Sequence, residues 1–145
     1  MARWVAIVSA LLFESLVVYL PFGRCLPYVY LVIAVSWAFR KGGILVYLLC
    51  GGMIVIGESI NHAQYPLTVG ICTLGISLAI WYKAYFRVRA YIDECILFAM
   101  VCAFVCFAKW FAFSWRADCI LPWDPMVLMG YVTTVVCFCI WHRGQ

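Results

Sequence analysis

Charge is almost absent from six long stretches of this chain, and that absence constrains its fold more than any other feature. Residues 4–22, 26–39, 44–60, 66–86, 94–115 and 125–141 are apolar runs, separated by short turns carrying Pro, Gly, Lys and Arg. A helix that crosses a bilayer takes about 20 residues, so six take roughly 120. With 145 residues in all, only short connections remain. Apolar residues make up 68% and charged residues 11%, whereas a soluble domain is roughly a quarter charged. A water-soluble globular enzyme is therefore excluded. The expected fold is all-α: a polytopic membrane protein built as one six-transmembrane-helix bundle over residues 1–145. Run 26–39 is the shortest; if it only dipped into the bilayer, five spans would remain.

The first run is too long for a signal-peptide core and is followed by no small-residue cleavage site, so it reads as a retained helix. Basic residues then fix an orientation. With the N-terminus inside, Arg3, Arg40, Lys41, Lys83, Arg87, Arg89 and Arg143 lie on the inner side, against Arg24 and Arg116 on the outer. This positive-inside bias predicts that both termini are cytoplasmic. An odd number of spans would spoil the alternation. The formal charge of +4 is spread too thinly for a nucleic-acid surface.

Three ionisable residues fall at membrane depth: Glu14, Glu58 and Lys109. At 1.5 Å per residue, Glu58 and Lys109 both lie roughly 21 Å along their helices, and Glu14 roughly 15 Å along its own. Charges at that depth face the bundle interior and either pair or work. Glu14, Glu58, His62 and Lys109 thus form a candidate intramembrane polar cluster, serving a ligand, a partner or a structural ion pair. His62 enters because it lies four residues after Glu58, on the same helix face. No metal site is expected from that pair, nor any cofactor. His142 reads as a solvated end residue, and Asp118 and Asp124 as wet loop acids. No phosphate-binding loop, nucleophile elbow or His-Glu-x-x-His element occurs, so catalysis is not expected.

Small residues mark places where helices can approach closely, within the bundle or with a partner. These are Ala6 and Ala10 on the first helix, Gly51, Gly52 and Gly57 on the third, and Gly70 and Gly75 on the fourth. The nine cysteines read as soft packing residues. Cys25 and Cys119 sit in outer loops where a disulfide is conceivable, and Cys102 and Cys106 share a helix face, which a thiol-redox protein would use.

The central run resembles the bacterial rod-shape-determining MreD proteins. It reads Trp37-Ala38-Phe39-Arg40-Lys41-Gly42-Gly43, then Gly51-Gly52 and Glu58, then Pro66-Leu67 and Gly70, then Lys83, Arg87 and Arg89. It departs from them in having Glu58 where they usually carry Asp, and Asn61-His62-Ala63-Gln64-Tyr65 where they have a Gly-rich turn. The resemblance implies a non-catalytic inner-membrane scaffold of cell elongation. Its partners would be a bitopic shape protein, the actin-like filament and the peptidoglycan synthases. The competing resemblance is to the substrate-specific, six-helix components of energy-coupling-factor transporters, whose Ala-x-x-x-Ala contact motif is matched by Ala6 and Ala10. That resemblance implies a solute-binding subunit whose partners are other transporter subunits, with Glu58, His62 and Lys109 lining a pocket.

Overall fold

A computed structural model describes residues 2–17, 19–20, 25–40, 43–61, 65–87, 90–120 and 122–144. Among them are six α-helices and no strand: α1 (Ala2–Val17), α2 (Val29–Arg40), α3 (Ile44–Asn61), α4 (Tyr65–Phe86), α5 (Tyr91–Arg116) and α6 (Pro125–Arg143). Among the described residues three stretches are long and apolar enough to cross a membrane: Pro66–Phe86, Tyr91–Arg116 and Pro125–Arg143.

Local chemistry explains several ends. Asp93 and Glu94 stand in the first turn of α5 and Arg116 in its last, each opposing the partial charge of that helix end. Asp124 is not merely a wet loop acid. Its carboxylate caps α6 by accepting from the Met126 amide at 2.9 Å, ahead of Pro125 in the first turn. The first apolar run extends to residue 22, yet α1 stops at Val17. Tyr19 and Leu20 close it with turn bonds to Leu16 and Val17, as expected just before Pro21, which disfavours a helical residue ahead of it.

α2 occupies the centre and packs against α1, α3, α4 and α6, while α3, α4, α5 and α6 pack in sequence around it. α1 lies outside, on α2 and α3. Tyr30 to Ser36, Ala38 and Phe39 are all buried, so the shortest run forms the most enclosed helix. Its 12 residues extend roughly 18 Å, well short of a hydrocarbon core of about 30 Å. The chain just before it is fastened to the middle of α6. The Tyr28 amide donates to Thr134 Oγ1 at 2.8 Å, and Thr133 Oγ1 donates to the Cys25 carbonyl at 3.0 Å. Non-helical backbone inside a bundle needs such partners, because lipid supplies none.

The core is apolar and aromatic, with Phe98 stacked on Phe138 at 4.0 Å between ring centroids. The outer surface is apolar as well. α1 presents Val5, Val8, Leu12 and Leu16, and α5 presents Met100, Phe104, Phe107 and Phe111, each set at helical spacing. A water-exposed protein rarely tolerates so much apolar surface; in lipid it is the ordinary exterior.

Candidate functional site: two buried ionic clusters

Glu58 stands one turn from the end of α3 and is fully buried. Lys109, on α5, donates to both of its carboxylate oxygens, at 2.7 and 2.8 Å. The Tyr30 hydroxyl of α2 donates to Oε1 at 2.5 Å, and the Cys72 thiol of α4 donates to the same oxygen at 3.2 Å. One carboxylate therefore ties together α2, α3, α4 and α5. The Lys109 ammonium also lies 6.0 Å from the centre of the Tyr131 ring on α6, within cation–π range.

Gly57 makes this arrangement fit. A Cβ there would stand 2.6 to 2.8 Å from three ring carbons of Tyr30, closer than carbon atoms pack. Only a residue without a side chain lets the Tyr30 ring lie against α3 with its hydroxyl at Glu58. Gly75 allows a similar but looser approach to Val105 and Phe104 of α5. Added methyl groups at Gly51, Gly52 and Gly70 would meet nothing within 4 Å, so of the small residues on α3 and α4 it is Gly57 and Gly75 that pack closely. Glycine spacing alone does not tell which side of a helix is covered.

Of the other sequence candidates, Glu14 is 1% exposed on α1. Tyr28 lies within electrostatic reach of both Glu14 and Glu58, so the two acids face one interior. Ala10 is buried in the core. His62 and the side chain of Ala6 lie outside the described residues. No group of three His, Cys, Asp or Glu able to hold a metal occurs among the described residues. All nine cysteines are free, Cys25 and Cys119 included.

A second cluster lies at the end of the bundle where α2, α4 and α6 finish and α5 begins. His142 Nε2 meets Glu94 Oε2, and Lys83 pairs with Glu94 Oε1 at 2.5 Å. Lys83 also donates to the Phe39 carbonyl, and Arg40 donates to the His142 carbonyl at 2.7 Å. The imidazole is stacked between Phe138 and Tyr91, at 4.9 and 6.0 Å. His142 is 5% exposed and Glu94 8%. His142 is thus a buried, paired residue and not a solvated end. Its position at a helix terminus suggested water, but four helix ends converge there and cover it.

Ser36 Oγ lies 3.4 Å from His142 Nδ1. The connectivity Ser36–His142–Glu94 has the order of a nucleophile, base and orienting acid. Ser36 is fully buried in the central helix, however, so its hydroxyl is shielded from solvent. The contact packs the bundle.

Searched against known protein families, curated proteins and solved structures, the chain matches none.

Sequence reasoning missed Tyr30, Cys72, Glu94 and His142. Tyrosine and cysteine within an apolar run look like packing, and only the three-dimensional meeting at Glu58 reveals their polar ends. The charge pattern did carry one usable signal: Lys83 and Glu94 flank a single turn.

Proposed function

We propose that this chain crosses the cytoplasmic (inner) membrane six times, with both termini in the cytoplasm, and works there without catalysis as a scaffold of the cell-elongation machinery. The filled Glu58 carboxylate carries the scaffold reading. Oε1 takes three donors and Oε2 one, so the ion pair is saturated by the chain itself. Such a pair serves as a pin that fixes one arrangement of helices, which is what a protein that presents a fixed surface to partners requires. The gathering of Arg40, Lys83 and Arg143 at one end supports the orientation. The cell-shape role, with a bitopic shape protein and peptidoglycan synthases as partners, draws on the resemblance of the central run to MreD proteins.

The second reading, a solute-binding subunit of an uptake transporter, is favoured by one observation. α2 begins inside the bundle, next to Glu58 and Lys109, and discontinuous helices beside charged groups mark solute sites in transporters.

Depletion in the native cell separates the two. Under the scaffold reading, rod-shaped cells round up while nutrient uptake is unchanged. Unchanged shape with loss of uptake of one solute rejects the scaffold and selects the subunit.

A further inference from the structure

Two thiols meet across α5 and α6, beside the Glu94–His142 contact. The two helices run in opposite directions, with Glu94 opposite His142 and Phe98 opposite Phe138. Cys95 follows Glu94 and Cys139 follows Phe138, so both fall between these pairs, at one level of the bundle. Their thiols lie within hydrogen-bond distance of each other, and the Tyr91 hydroxyl lies within that distance of Cys95. The same hydroxyl donates to the Cys139 carbonyl, and the Tyr91 ring stacks on His142. Tyr91 thus holds the start of α5 against the end of α6 at the level where the thiols meet.

Both cysteines are half-buried, whereas Cys102 and Cys106 are buried. The latter two share one helix, where side chains four apart keep their Cβ atoms about 5–6 Å from each other; a disulfide needs about 4 Å. Cys50 and Cys72 donate to the Ala34 carbonyl and to Glu58. We propose that Cys95 and Cys139 form a reactive dithiol, a modification site that low-molecular-weight disulfides close into a cross-link between α5 and α6. One cysteine gives its proton to water, and its thiolate attacks a sulfur of RS–SR. That S–S bond breaks, a mixed disulfide forms and RS⁻ leaves. The other cysteine, deprotonated in the same way, attacks the protein sulfur of the mixed disulfide. The Cys95–Cys139 bond forms, the second RS⁻ leaves, and the two released thiolates take up the two protons. The protein is oxidised by two electrons and the small disulfide is reduced by them. A reducing cytosol keeps such pairs open, so on the inner side of the membrane the cross-link forms as the thiol pool becomes oxidised. The exchange chemistry is independent of the cell-shape role and of the orientation.

The full chain, purified in detergent, is incubated with oxidised glutathione, denatured in iodoacetamide, digested and read by mass spectrometry. The Cys95 and Cys139 peptides are expected to appear joined, within a monomer, with loss of both cysteines from the alkylated pool and their recovery after dithiothreitol. Cys95→Ser and Cys139→Ser should each stop at glutathione bound to the remaining cysteine, while Cys102→Ser should leave the cross-link intact. The wild-type readout alone decides the matter if a variant fails to fold. Glutathione on both cysteines without a joined peptide, a joined peptide found only in a covalent dimer, or alkylation of both cysteines to the untreated extent overturns the site.

Discussion

The Tyr30 ring lies so close against the backbone of Gly57 that a single added carbon would stand 2.6 Å from it. The same ring delivers its hydroxyl to Glu58, the next residue of α3. A steric allowance and a polar contact on neighbouring residues therefore form one device.

Gly57→Ala should destabilise the protein by roughly 1–3 kcal/mol, the usual cost of overpacking a full core. Gly51→Ala and Gly52→Ala, where nothing stands within 4 Å, should be neutral or slightly stabilising, since alanine is the better helix former by about 1 kcal/mol. Thermal unfolding in one detergent compares all three. Equal melting temperatures for Gly57→Ala and Gly51→Ala would show that Tyr30 does not press on α3.

Breaking the Glu58–Lys109 pair from one side should cost roughly 3–5 kcal/mol, because a lone buried charge remains. Glu58→Gln combined with Lys109→Met should recover much of that loss. A double-mutant cycle measures the coupling. Additive losses would mean that the two charges do not depend on each other.

The cluster around His142 makes a protection experiment possible. Stacked between two rings and paired with Glu94, His142 should resist diethylpyrocarbonate in the folded protein and react once it is denatured. Glu94→Gln should speed its modification as the contact weakens. Full-rate labelling of His142 in the native state would restore the picture of a solvated helix end.

Among the cysteines, Cys119 is exposed, whereas Cys72 and Cys102 are buried. A membrane-impermeant maleimide should therefore label Cys119 first, and should do so from outside intact cells under the proposed orientation. Labelling of Cys119 only after the membrane is opened would reverse that orientation.

The helices themselves were legible in the sequence, because six apolar runs in so short a chain leave little else to form. The boundaries of α3, α4 and α6 fall within two residues of the runs that predict them. The importance of α2 was not legible. A short run read as a possible shallow dip, since periodicity says nothing about how many neighbours surround a helix. Glu58 and Lys109 stood out because charge is rare at that depth. Tyr30 and Cys72 did not, because their polar atoms are small parts of residues that otherwise behave as apolar. His142 misled for the opposite reason: terminal position suggests water only when other termini do not cover it.

The fastening of residues 25–28 to Thr133 and Thr134 has a consequence for biogenesis. These hydrogen bonds join residues 106 and 108 positions apart, so the peptide groups that introduce α2 lack these partners until α6 has been synthesised. α2 can be fully seated only once α6 is present. Ribosome-bound chains truncated before α6 should hold α2 loosely and open to proteases, and addition of α6 should close the bundle around it.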